Sequence, residues 1–174
     1  MGVRADVQSD ASVIRPVHNC REGIATGIAV APRLSRIDTY WMAAYVLDEA
    51  VRRVLAVGGT LERTATMDNF CWPSIHHHSE KNPNGKYKLA QLVEANRALR
   101  DFWLAYNAPA ISGKDSMSMD GTIPLKQGGE RRVSAMPTLQ ITAIALVKDV
   151  AKCVTIDAKM PGDLVYVLGE TRDE

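Results

Sequence analysis

Cysteine is scarce in this 174-residue chain, with only Cys20, Cys71 and Cys153, and no two of them form a CxxC pair. An odd number of widely spaced thiols excludes a disulfide frame and a zinc knuckle, and reads as reduced cysteine in a cytoplasmic protein. Excess charge is missing too. Lys plus Arg is 21 against 20 for Asp plus Glu, so the net charge is +1. That balance argues against a nucleic-acid or anionic-membrane partner. Long apolar runs are absent: Ile141–Val147, interrupted by Thr142, is far too short to cross a bilayer. The opening MGVRADVQSD has no apolar core of a secretory signal. Repeats, low-complexity tracts and a GxxxxGK[ST] phosphate loop are likewise missing. What remains is ordinary globular composition, 46% hydrophobic and 24% charged, at a length that buries roughly 70% of the unfolded surface.

Periodicity then orders the chain. Ile24–Ala31 reads as a buried strand closed by Pro32. Asp38 is a natural N-cap for a helix through Trp41, Ala44, Tyr45, Val51, Val54 and Leu55, stopped at Gly58-Gly59. Leu61–Met67 reads as a strand ending on Asp68-Asn69. A polar excursion with an Asn82-Pro83-Asn84-Gly85 turn leads to a second helix, Tyr87–Tyr106. Pro109–Ser112 is a short strand running into Gly113-Lys114-Asp115-Ser116. Gly121–Arg132, rich in glycine and charge, reads as an exposed loop. Thr138–Val147 is the strongest strand, and Asp163–Leu168 is one more, ending with no closing element as though the chain were cut. Strands alternating with helices predict a layered α/β or α+β domain.

Polar residues gather where strands and turns end: Asp10, Asp68-Asn69 and Gly113-Lys114-Asp115-Ser116. Carboxylates and amide oxygens are hard ligands suited to Mg²⁺, which bridges a few carboxylates to phosphates. Gly113 admits close backbone approach to a phosphate, and Lys114 offers it a positive charge. Asx-turns and helix caps would account for the same residues without any ligand. His76-His77-His78 has no HxxxH spacing and no acidic partner, and reads as surface loop. Cys71 reads as a small buried thiol beside Phe70 and Trp72. Trp41, Phe102 and Trp103 fit core stripes. Arg52-Arg53 and Arg131-Arg132 read as solvated charge, with Arg53 placed to pair with Glu49 at i+4.

Longer motifs carry a resemblance. Asp68–Pro73 (DNFCWP), Lys88–Val93 (KLAQLV) and Ser112–Met119 (SGKDSMSM) together resemble the phosphoribosylformylglycinamidine synthase family. Supporting pieces follow in the family's order: Ser9–Val13, Asp48–Gly59, Pro137–Val147 and Lys159–Glu170. The resemblance implies an α+β (α/β layered) fold of the aminoimidazole ribonucleotide synthetase N-terminal-domain type, a mixed sheet packed against helices. It places residues 1–160 in that domain, as the N-terminal domain of the enzyme's second half, and 161–174 at the truncated start of the next.

It also implies a cytoplasmic ATP-dependent C–N ligase (amidotransferase) of purine biosynthesis. Its reactants would be formylglycinamide ribonucleotide, ATP with Mg²⁺, and ammonia from a glutaminase domain or subunit. The pseudo-symmetric first half would be a partner, and the catalytic histidine would lie there. Alone, the fragment is expected to be inactive and to form a homodimer. Carried over position by position, Asp68, Gly113 and Lys114 would bind nucleotide, Ser116 substrate, and Asp10, Glu49 and Asp115 metal. Arg53 and Lys114 stand where relatives place asparagine ligands, which counts against the same metal occupancy. Two alternatives stay open: a structural nucleotide-binding half without turnover, and a sister enzyme of the superfamily, such as the aminoimidazole ribonucleotide synthetase or a selenophosphate or thiamine-phosphate kinase.

Overall fold

The computed structural model describes residues 7–170 and 172. Its elements are β1 (Ser12–Ile14), β2 (Gly23–Val30), a 3₁₀ turn (Pro32–Arg36), α1 (Thr39–Ala56), β3 (Gly59–Cys71), α2 (Gly85–Tyr106), β4 (Ala110–Ser116), β5 (Asp120–Pro124), β6 (Glu130–Ser134), β7 (Thr138–Val147) and a 3₁₀ turn (Val150–Lys152). The main sheet runs β1-β2-β7-β3-β4. Only β3–β4 is parallel, so the sheet is mixed, and β5–β6 form a separate hairpin.

Both helices lie on one side of this sheet. Ala25 and Ala29 of β2 and Leu139, Ile141, Ala143, Ala145 and Val147 of β7 point at them and are buried. The helices answer with Met42, Val46, Leu47, Ala50 and Val54 from α1 and Ala95, Ala98 and Leu99 from α2. Each fully buried leucine, isoleucine or valine contributes roughly 1.5–3 kcal/mol, while the many alanines let helix and sheet approach closely. Gly27 shows how closely. A Cβ there would lie 2.8 Å from Arg53 Cβ and 3.1 Å from Ala50 O, so α1 rests on bare backbone.

Helix ends follow the expected chemistry. Asp38 caps α1, its carboxylate accepting from Trp41 N at 3.0 Å, and Gly58 leaves the helix at φ +107°. α2 ends on Asn107 in the left-handed region, φ 50°. The helices are tied by Tyr106, whose hydroxyl donates to Asp48 at 2.5 Å, while burial and that carboxylate push the phenol up to about 12.

Five expectations need correction. β3 and β4 extend through Asp68-Asn69 and Gly113–Ser116, because parallel pairing (Asp68 with Gly113, Phe70 with Asp115) satisfies those polar residues' backbone inside the sheet. Gly121–Arg132 is largely the β5–β6 hairpin, turned by Gly128 and Gly129 at φ +85° and +87°. Asp163–Leu168 is not a strand: no strand of the sheet pairs with it, and Val165 and Leu168 are 92% and 94% exposed. Trp41 is not core but exposed, edge-on to Tyr40 at 5.2 Å. Cys71 is only half-buried, on the face opposite Phe70.

Candidate functional site at the sheet edges

Register decides which candidate residues can meet. Neighbours paired across a sheet share a face. On the helix side lie Asp68 with Gly113, and Phe70 with Asp115; on the open side lie Asn69 with Lys114, and Cys71 with Ser116. The sheet therefore divides the predicted set. Asp68 and Asp115 look towards α2 across a cavity of about 150 Å³, which Phe70, Asn96, Trp103 and Met117 also line. Lys114 and Ser116 bond to each other on the opposite face, Nζ to Oγ at 2.6 Å.

Gly113 is needed where it stands. A Cβ there would come within 2.5 Å of Asp68 Oδ1 and 2.7 Å of Oδ2, so the carboxylate sits directly over the glycine. Burial raises the pKa of Asp68, and the neighbouring Asp115 charge adds to this. A backbone hydrogen bond from its own N–H partly offsets this, and Trp103 Nε1 is shielded from solvent without a partner. A half-buried carboxylate held beside a second one is set up to receive a cation or a strong hydrogen-bond donor. Trp103 fits a core stripe by its spacing; only tertiary packing places it and Asn96 at this cavity.

Asp10 and Glu49 lie elsewhere. Asp10 precedes β1 and so stands at the far edge of the sheet from β4, three strands away from β3. It lines a cleft of about 880 Å³ with Arg15, Thr26, Arg53, Val150 and Thr155. Glu49 is engaged by Arg53, whose Nε and Nη2 reach Oε1 at 3.0 and 2.8 Å. Asp10 and Asp115 thus belong to different sites. Among the described residues, no three His, Cys, Asp or Glu side chains gather to hold a metal.

Below the strand ends, the motif residues do structural work. Trp72 is fully buried and donates Nε1–H to Lys88 O at 3.0 Å. Lys88 Nζ reaches Asn82 Oδ1 at 2.8 Å and Ser134 Oγ at 3.1 Å. Asp120 accepts from Ser74 N at 2.8 Å and from the Ser134 hydroxyl. Burial pushes its carboxyl up, but these bonds and the Lys88 and Arg132 charges outweigh that and hold it below the usual range. His76, His77 and His78 are exposed; His78 Nδ1 accepts from Glu80 N and Lys81 N, a turn rather than a metal site.

Phosphoribosylformylglycinamidine synthase subunit PurL of Thermoplasma acidophilum is 27% identical over 168 residues, covering 97% of this chain and 20% of that protein. The chain is homologous to one fifth of that synthase subunit. PurL of Gloeobacter violaceus is 31% identical over 147 residues, 84% of this chain and 17% of that protein. The chain therefore spans about a fifth of the curated relatives it matches. No family model matches it. Among solved structures, T. maritima PurL complexed with FGAR superposes with a TM-score of 0.62 at 21% identity, over 84% of this chain and 20% of that one. A ThiL complexed with AMPPCP and TMP gives 0.60 at 10% identity, over 90% and 41%. These share the α+β fold of the aminoimidazole ribonucleotide synthetase type, as the motifs implied. No helix of the described residues is long and apolar enough to cross a membrane.

Proposed function

We propose that this chain is the N-terminal domain of the second half of phosphoribosylformylglycinamidine synthase and forms part of its ATP and substrate crevice. Residues 1–160 form the domain and 161–174 begin the next. The full enzyme would be a cytoplasmic ATP-dependent ligase. It would phosphorylate the amide oxygen of formylglycinamide ribonucleotide and let ammonia displace the phosphate. The observation that carries this reading is similarity to PurL along 97% of the chain. It is supported by complexes of PurL with ATP analogues and FGAR, and by a PurLQS assembly, which fits a glutaminase partner.

Asp68 and Gly113 would hold nucleotide on the helix side. Lys114 and Ser116 would meet phosphate or substrate from the open side. At the β4 edge the donor set suits Mg²⁺, which takes one or two carboxylates and completes its shell with phosphates and water. Asp115, beside Asp68, would hold it, and the ion would screen the charge of the transferring phosphoryl group.

ATP with Mg²⁺, or formylglycinamide ribonucleotide, should raise the melting temperature of the chain. Ligand at 100 times Kd adds about 2.7 kcal/mol, which is roughly 5–10 °C for a domain this size. No shift with either ligand would count against the reading. The chain alone should form no product, because four fifths of the homologous subunit lie outside it; measurable formylglycinamidine ribonucleotide would overturn that.

The open face of the sheet supports self-association. Ile14, Ile28, Val30 and Leu146 are 56%, 50%, 52% and 37% exposed there, the start of an apolar face that pairing would bury. Sedimentation should show a homodimer, and Ile28→Lys a monomer. A wild-type monomer at high concentration would rule this out.

A further inference from the structure

The cleft at the β1 edge does not suit the Mg²⁺ that the family implies for Asp10 and Glu49. Of the two predicted carboxylates only Asp10 lines it, and Glu49 is turned to Arg53, its Oε1 accepting two N–H groups of the guanidinium. The guanidinium is paired and its stem is seated. Arg53 sits on the last turns of α1, directly over Gly27, and the two backbones are so close that no side chain fits between them. Its Glu49 partner lies one turn earlier, so the ion pair is fixed by the helix itself. Arg53 and Arg15 both line the cleft, so its cationic groups outnumber the single carboxylate, Asp10, among its lining residues. A divalent ion placed between Asp10 and Glu49 would lie against a permanent positive charge and would have to displace it.

We infer that Arg53 takes the place of the cation in this cleft, which binds a phosphate-bearing ligand without metal. Guanidinium presents five donors in a rigid fork, of which Glu49 uses two, and the remainder match phosphate oxygens. The ligand class, a nucleoside diphosphate or triphosphate, rests on the nucleotide reading above. The exclusion of metal rests on the Arg53–Glu49 geometry alone.

Amide NMR of the 174-residue chain tests both parts at residue resolution. Mn²⁺ alone, at submillimolar concentration, should leave the Asp10, Ser12, Gly27 and Glu49 signals sharp in the wild type. In Arg53→Asn, which replaces the guanidinium by a short neutral amide and frees Glu49, the same signals should broaden. ADP in EDTA should shift Ser12, Gly27 and Arg53, and Mg²⁺ should change its affinity less than twofold. Arg53→Asn should lose at least tenfold in affinity in EDTA. Broadening of Asp10 and Glu49 in the wild type, or shifts at this cleft that require Mg²⁺, would overturn the inference while leaving the nucleotide reading intact. Absence of any ADP shift anywhere in the chain, with or without Mg²⁺, would sink both.

Discussion

On the proposed reading, Asp68→Asn in the full-length protein should lower turnover a hundredfold or more while leaving the fold as stable as before. The two readouts separate because the carboxylate is costly to the fold. Burial and Asp115 raise its pKa, so its ionised form is disfavoured in the native state relative to the unfolded chain. A raised carboxylate pKa means a penalty that is fully present at neutral pH and fades as pH falls through the folded value. An isosteric amide removes the penalty, so the melting temperature at pH 7 should hold or rise slightly. The rate should fall, because a positioned charge in a partly desolvated site contributes several kcal/mol to a phosphoryl-transfer transition state, and about 2.7 kcal/mol already corresponds to a hundredfold. If Asp68 were only a polar residue filling a strand, the melting temperature would behave in the same way but turnover would not move. Steady-state kinetics with a parallel melt decides; wild-type turnover in the variant would remove Asp68 from the site.

Trp72→Ala should have the opposite profile, a large loss of stability with no direct chemical role. Trp72 is fully buried, packs edge-on to Phe70 with ring centroids 5.7 Å apart, and satisfies the Lys88 carbonyl. Truncating a buried aromatic costs about 3–5 kcal/mol, or roughly 6–20 °C in a domain of this length. Trp72→Phe, which keeps the ring packing but not the N–H, should lose only part of this. A melting temperature within 2 °C or so of wild type for the alanine variant would show that this corner is not the packing centre we describe.

Together these two residues show what the sequence could and could not convey. Both belong to one six-residue motif, Asp68–Pro73, yet alternate positions on β3 divide it between cavity, core and open face. Both helices, the Asp38 cap and the span of β7 were readable because periodicity and capping are local. Where β3 and β4 stop was not readable. Polar residues such as Asn69, Lys114 and Asp115 look like loop until a parallel neighbour supplies their backbone partners. Nor could spacing show that Asp68 and Lys114 face opposite ways, since that follows from register across two strands. Asp163–Leu168 failed in the other sense: β-branched and aromatic composition predicts a strand, but a strand needs a neighbour, and none of the sheet pairs with this run. Asn96 and Trp103 reach the Asp68 cavity through the packing of α2, which no local pattern encodes.

The position of β7 governs how this sheet can be completed. β2 and β3 do not pair with each other; each pairs with β7, eight residues with β2 and most of β3. During synthesis, α1, β2, β3, α2 and β4 all emerge before Thr138, with β2 and the β3–β4 pair as two parts of the sheet not hydrogen-bonded to each other until β7 slots between them. Closing the gap requires contacts over more than a hundred residues of sequence, from Gly23 to Val147, and such long-range closure slows folding. Until it happens the edges of β2 and β3 have no partner and invite pairing with another chain. Nascent chains stopped short of Thr138 should therefore be chaperone-bound or aggregated, and release of residues 138–147 should mark the step at which the domain becomes protease-resistant.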